Sequence, residues 1–235
     1  IDTSPEQCTS LIVDRHLGER FSAWAAAAAW GDNLAASAER VADRLRLDRE
    51  ARDALKRLGE AVNYNAYGEQ DDDCLIAPAE LYRVLSRHRD PIAAIAAEPI
   101  LARLDARRED DLALAGAQPP WHDDASGRIW LLPDARIRQN LFWAFFYNVI
   151  GPFANRMATD DPSRAHAVAR RRADGSLDIS VRSPIGRRRG ANLLCARFGG
   201  GGRAAAAAID ALPAERFEPF VRAFSTMRWG ETDQG

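Results

Sequence analysis

Long apolar runs are missing from this chain of 235 residues. No stretch approaches the 18 or more consecutive apolar residues that a membrane-spanning helix needs; the greasiest, Phe21 to Trp30, is mostly alanine, so no membrane partner is expected. Cysteine is scarce. Cys8, Cys74 and Cys195 lie far apart, form no Cys-x-x-Cys pair and are odd in number, which argues against a disulfide framework and for a reducing, cytoplasmic compartment. Lysine is nearly absent, Lys56 being the single example, so arginine carries the basic charge. No basic-then-apolar leader precedes the fold, and the chain opens on Ile1 where a methionine would stand; we expect it to be part of a longer polypeptide.

What is present suits a globular protein. Hydrophobic residues make up 46% and charged residues 28%, enough apolar material for a core. The net charge of −2 hides an asymmetry. Between Arg164 and Arg203 there are ten arginines against two acids, Asp174 and Asp178, a local balance of +8 that leaves −10 for the remainder. A segment so charged invites an anionic partner, although solvated surface arginine is the plainer explanation.

The first 116 residues read as helix and loop. Ser4 and Pro5, with Gln7 three residues after the serine, look like a capping box, and Gly18 is a natural stop. A second helix, with Phe21, Trp24, Ala25 and Ala28 on one side, ends at Trp30-Gly31-Asp32; its alanines make it narrow enough for close approach. Asp48 caps a helix with Ala51, Leu55, Leu58 and Val62 at helical spacing, and Pro78 and Pro91 open two more. Residues 117–127, with adjacent prolines and polar neighbours, are expected to be a linker. The period then changes: a strand over Arg128 to Leu132, a long helix from Pro133 bearing Leu141, Phe142, Phe145, Phe146 and Ile150, and a hairpin of His166–Arg171 with Leu177–Ser183 turning at Ala173-Asp174-Gly175. A helix near Gly190 to Arg197 runs into Gly199–Gly202, and a last helix after Pro213 aligns Phe217, Phe220, Val221 and Phe224. The expected class is α/β leaning to α+β: a helical first part, then a compact α/β domain over residues 128–235.

Four glycines followed by Arg203 and five alanines form the most informative string. Glycines let successive backbone N–H groups turn toward an anion, and Arg203 adds a guanidinium fork that grips phosphate or carboxylate with two hydrogen bonds. It is not a P-loop, since the Gly-Lys-Ser/Thr ending is missing. A glycine helix cap is the structural alternative. Arg182 and Ser183, where the second hairpin strand ends, become phosphate contacts if that strand points at the loop.

Ser180-Val181-Arg182-Ser183, then a helix, then Gly-Gly-Gly-Arg with trailing alanines resembles the DHH-associated C-terminal domain of DHH-family phosphoesterases. The resemblance covers about Arg128 to Phe224. It implies that Arg182, Ser183, Gly200, Gly201, Gly202 and Arg203 bind the phosphate or sugar end of a substrate. Arg203 stands where the family usually has histidine, and Ala207-Ala208 replaces Ala-Gly; arginine still binds an anion but cannot transfer a proton near neutral pH. The family's two divalent cations, usually manganese, sit among carboxylates and histidines from four motifs. The last of these is an aspartate after a small-residue helix, which Asp32 resembles. A carboxylate beyond a helix C-terminus faces the negative end of the dipole, a penalty that a cation would reverse; capping of the next helix by Asp32 or Asn33 is the alternative. The other motifs are absent: there is no Asp-His-His, and Asp14-Arg15-His16 reads as ordinary helix surface. The acidic clusters Asp71-Asp72-Asp73 and His122-Asp123-Asp124 have no ligand spacing.

Two functions follow. One is a metal-dependent phosphoesterase acting on a short oligonucleotide, dinucleotide or polyphosphate, with the remaining metal ligands expected upstream of Ile1 and the chain alone nearly inactive. The alternative is a non-catalytic module binding nucleotides or single-stranded nucleic acid. Phe198 is the only aromatic in the +8 segment, which offers little base stacking and favours a small phosphorylated ligand. A homodimer is compatible with either.

Overall fold

The structure, a computed structural model, describes residues 6–66, 74–132 and 149–231. The cap expected at Ser4 and Pro5, the cluster Asp71–Asp73 and the expected helix from Pro133 through Phe146 lie outside these residues. The chain divides into two compact units, Ile1–Asp110 and Asp111–Gly235.

Among the described residues the first unit is entirely helical: α1 (Thr9–His16), α2 (Ser22–Gly31), α3 (Ala35–Arg44), α4 (Arg49–Asn65), α5 (Pro78–Leu85), α6 (Pro91–Ala97) and α7 (Pro99–Gly116), the last running past the unit's boundary. The alanines of α2 do what their size permits. Ala25, Ala26, Ala27 and Ala29 are buried, and α4 approaches so closely that a Cβ on Gly59 would lie 1.8 Å from the Ala27 carbonyl oxygen. Asn63 donates to the Gly31 carbonyl at 2.9 Å across the same contact. Asp48 caps α4 by accepting from the Ala51 N–H at 2.8 Å, and Asp90 caps α6 through the Ile92 N–H.

Two local expectations change here. α1 starts at Thr9 with extended Cys8 before it, so its first turn lies later than Ser4 implies. Asp14 is not helix surface: it is 4% exposed and accepts hydrogen bonds from the Phe21 N–H (2.8 Å) and the Ser22 hydroxyl (2.6 Å), tying off the start of α2.

The second unit is a six-stranded mixed sheet with helices packed on it, as the α/β class requires. Its strands are β1 (His122–Asp123), β2 (Gly127–Leu132), β3 (Ala165–Arg171), β4 (Leu177–Arg182), β5 (Gly201–Arg203) and β6 (Ala206–Leu212), in the order β1-β2-β3-β4-β6-β5. Among the described strands only β2 and β3 run parallel. α8 (Ile150–Asp160), between them in sequence, supplies the crossover such a pair needs. α9 (Ala191–Ala196) and α10 (Phe217–Ser225) complete the unit.

Alternation in β4 sorts the sheet's two faces. Leu177, Ile179 and Val181 join Ile129, Ala167, Ile209 and the α10 row Phe217, Phe220, Val221 and Phe224 in one apolar core. Asp178, Ser180 and Arg182 take the opposite face. The hairpin turn forms as expected, with Gly175 in the left-handed region at φ 86°. The stretch offered as a linker contributes β1 instead. Its Asp124 accepts from the N–H groups of Ser126 (2.8 Å) and Gly127 (3.0 Å), which folds the polar residues into a tight turn onto β2.

Candidate functional site

The glycine string serves two structures. Gly199 adopts φ 82°, and the N–H groups of Gly199 and Gly200 bond to the carbonyls of Ala196 and Cys195, a Schellman closure of the α9 C-terminus. The N–H of Gly200 is therefore spent, and the anion-donor role expected of it does not fall to that atom. Gly201–Arg203 then form β5, the edge strand of the sheet, paired with Ala206–Ala208 of β6. Gly200 and Gly202 are small because β6 is close: a Cβ would meet the Ala208 carbonyl oxygen at 2.2 Å and the Ala207 Cα at 2.6 Å respectively. A Cβ on Gly201 would meet nothing within 4 Å. In an antiparallel pair only alternate residues exchange hydrogen bonds, so at least one residue of β5 turns its backbone away from β6, at the exposed sheet edge.

The register brings the two predicted arginines together. Arg182 of β4 stands opposite Ala206 of β6, and Ala206 stands opposite Arg203 of β5. Directly opposed residues share a face, so both guanidinium groups rise from the face opposite the α10 core. Two strand spacings set their Cα atoms roughly 10 Å apart. Between them the next row is Ser180, Ala208 and Gly201. Ala208, Gly201 and Arg203 are exposed and Ala206 half-buried. The result is a shallow floor of small side chains with one arginine on each flank. The same row continues inward through His166 of β3 and Arg128 of β2 to Asp123 of β1.

Arg182 is fixed in place. Its Nε donates to the Asn155 side-chain oxygen at 2.6 Å, its Nη1 to the Ser180 hydroxyl at 2.9 Å and the Val181 carbonyl at 3.0 Å, and its Nη2 to the Gly151 carbonyl at 3.4 Å. Two of these four bonds, to Asn155 and Gly151, join α8 to the sheet. Asn155 was invisible as a functional residue in the sequence, where nothing marks one helical asparagine. Ser183 is 4% exposed, and its N–H and hydroxyl both bond to the Ala205 carbonyl. It anchors the β5–β6 turn and is not turned outward to a ligand. The N–H of Ala191 holds the neighbouring Ala204 carbonyl at 3.0 Å.

Three other arginines of the basic segment are already neutralised. Arg164 bonds Asp161 (2.7 Å) and Asp123 (2.6 Å), and Arg170 and Arg172 share Asp178. Hydrogen bonds from Ser163 and Arg164 hold the Asp161 carboxyl below its ordinary value. His166 is fully buried; its Nε2 meets the Asp161 carbonyl oxygen at 2.8 Å, and burial lowers its pKa. The thiol of Cys195, a buried residue of α9, is pushed up to about 12 by desolvation.

The residues do not fit a metal pair. Asp32 is exposed just past the last turn of α2, where its N–H continues the helix by bonding the Ala28 carbonyl. Among the described residues no group of three or more His, Cys, Asp and Glu side chains gathers at one point. His122 and Asp124 are engaged with each other (2.8 Å), His122 also meets the Ser225 hydroxyl, and Asp123 is paired with Arg128 and Arg164. Among the described residues no helix is long and apolar enough to cross a membrane.

No protein-family model matches the sequence, and no curated protein does. Among solved structures, a DHH-domain protein described as a member of a family of ribosomal proteins is similar at a TM-score of 0.54 and 16% identity, over 90% of this chain and 50% of that one. A pGpG-specific phosphodiesterase from Vibrio cholerae aligns at a TM-score of 0.47 and 15% identity, over 81% of this chain and 71% of that one. The chain thus has the fold of the DHH-domain protein and spans about half of its length.

Proposed function

We propose that this chain holds the phosphorylated end of a short oligonucleotide, dinucleotide or polyphosphate, as the substrate-binding part of a DHH-type phosphoesterase. The observation that carries the proposal is the shared face of Arg182 and Arg203, separated by the small residues Ala206, Ala208 and Gly201. A phosphate lying on that floor meets an exposed arginine at the sheet edge and the rim of an anchored one. Arg203 can give two charge-assisted hydrogen bonds to it. The outward-turned backbone of β5 adds a donor that costs no side-chain entropy. Arg182, committed to α8 and Ser180, acts mainly through its charge and by keeping the floor's inner wall rigid.

Neither guanidinium can accept a proton, so the pair binds and orients but performs no acid–base chemistry. The proposed cofactor is a divalent metal, manganese, with Asp32 as its candidate ligand. A lone exposed carboxylate does not make a binuclear centre. Hydrolysis calls for carboxylates and histidines beyond the described donors. The buried thiols of Cys8 and Cys195 suit the reducing, cytoplasmic setting proposed with this reading, and a homodimer is proposed as its assembly.

Calorimetric titration with thymidine 5′-phosphate and with thymidine tests the proposal. Saturable binding of the phosphate form, absent for the nucleoside, is the expected result, together with little manganese-dependent hydrolysis of a phosphodiester by the chain alone. Equal affinity for both ligands overturns the phosphate reading, and robust turnover overturns the binding-only role.

A further inference from the structure

Three consecutive arginines, Arg187, Arg188 and Arg189, differ from Arg164, Arg170 and Arg172 in having no acidic partner among the described residues. All three are exposed, and among the described residues none has a carboxylate at ion-pair distance; the Arg188 Nε donates instead to the Ile185 carbonyl at 3.3 Å. Arg164, Arg170 and Arg172 each have an aspartate. Three adjacent like charges left without counter-charge repel one another, a cost that an anionic ligand would relieve.

The loop bearing them is held firmly. Ser183 and Ala191, at its two ends, bond to Ala205 and Ala204, the two residues of the β5–β6 turn. A 3-10 turn over Ile185–Arg187 shapes its middle, and the Gly230 N–H bonds the Arg189 carbonyl. The Arg187 stem packs on Gly230, where a Cβ would meet the Arg187 Cβ at 3.0 Å. The loop is therefore bracketed to the turn that follows Arg203. Arg187 ends the 3-10 turn and Arg188 and Arg189 follow it, so the three charges are spread along the loop. That arrangement suits several phosphates in series. No aromatic residue lies between Arg182 and Arg197, so contact falls on the backbone of a nucleic acid and not on its bases.

We propose that Arg187, Arg188 and Arg189 form an outlying track for successive phosphates of a single-stranded oligonucleotide. The track rests on the function proposed above in one respect: it extends a strand whose first phosphate lies between Arg182 and Arg203. It favours longer strands over mononucleotides, is indifferent to base sequence and is strongly salt-dependent.

The test compares the intact chain with a variant carrying Arg187→Gln, Arg188→Gln and Arg189→Gln. The probes are thymidine 5′-phosphate and labelled oligothymidylate and oligodeoxyadenylate of about ten nucleotides, near the site sizes of single-strand binders. Each phosphate contact on a single strand contributes about 0.7 to the slope of log affinity against log salt. Loss of three contacts therefore lowers the slope by about 2, and the ratio of oligonucleotide to mononucleotide affinity falls about tenfold or more, equally for both base sequences. Because Arg187 packs on Gly230, a second variant, Arg188→Gln with Arg189→Gln, keeps that contact and should lower the slope by about 1.4. An unchanged slope and ratio with mononucleotide binding intact overturns the track and leaves the Arg182–Arg203 site standing. Oligonucleotide binding that depends on the three arginines, with no mononucleotide binding at all, keeps the track and removes the inner site. A variant that loses affinity for phosphatidylserine vesicles but not for the oligonucleotides shows a membrane contact and overturns the inference.

Discussion

Arg182 and Arg203 stand opposite the same residue, Ala206, from strands on either side of it. A 3-10 turn, a helix and a Schellman cap separate them in sequence, yet the sheet register returns them to one row. One is bound into the fold and the other lies at its exposed edge. That difference makes their roles separable by mutation.

Arg203→Ala should weaken binding of thymidine 5′-phosphate about tenfold, the loss of charge-assisted hydrogen bonds of about 1.5 kcal/mol. Arg203→Lys should recover only part of the affinity, because a single ammonium cannot make the two-pronged contact. Arg182→Ala should lower both affinity and melting temperature, since it unties α8 from β4. Calorimetry and thermal melts on the three variants check this.

Glycines that look alike in sequence should respond differently to alanine. At Gly59 the added Cβ collides with the Ala27 carbonyl oxygen at 1.8 Å, so the helices must part, and a loss of about 3 kcal/mol is expected. At Gly201 it meets nothing within 4 Å, and the change should stay within about 0.5 kcal/mol. Urea unfolding curves of Gly59→Ala and Gly201→Ala measure both.

Asp178 holds Arg170, which is 4% exposed, together with Arg172, and also accepts from the Ala211 N–H at 3.1 Å. Asp178→Ala leaves a buried guanidinium without its carboxylate and should cost about 3–5 kcal/mol. Pairing it with Arg170→Met should recover a large part of that loss in the same unfolding assay, because the stranded charge is gone.

Stability should fall with acid in two stages. His166 has a folded pKa below its ordinary 6.5 because burial disfavours the cation. The unfolded chain therefore binds the proton first, and His166's contribution is complete above about 6.5 and lost as pH falls through its folded value. Asp161, also lowered, contributes fully above its ordinary 3.8 and loses that contribution below it. Melting temperatures between about pH 8 and pH 5 should decline for the intact chain and stay flatter for His166→Gln, which retains a donor toward Asp161. An identical decline in both would assign the first stage to other groups.

Much of the fold was legible because its signals are local. Asp48, Pro78 and Pro91 mark helix starts, Asp174-Gly175 marks a hairpin, and the spacing of Phe217, Phe220, Val221 and Phe224 marks a buried face. What sequence could not show was where a short glycine strand would pair. Gly201–Arg203 carries no strand signal of its own, and β6 makes it one by offering a partner. Arg182 could be named as a candidate, but its Asn155, Ser180 and Gly151 partners depend on how α8 lies on the sheet. Ser183 looked like a ligand contact and is spent on Ala205. Asp14 looked like surface because its partners, Phe21 and Ser22, come from the turn between two helices.

The central claim, an anion site on the face shared by Arg182 and Arg203, is tested most directly by following backbone amide and arginine Nε–H resonances while inorganic phosphate, then thymidine 5′-phosphate, is added. The account predicts saturable shifts concentrated in residues 201–206 and at the side chains of Arg203 and Arg182. Saturable shifts confined to other parts of the chain, or none at all, would contradict it.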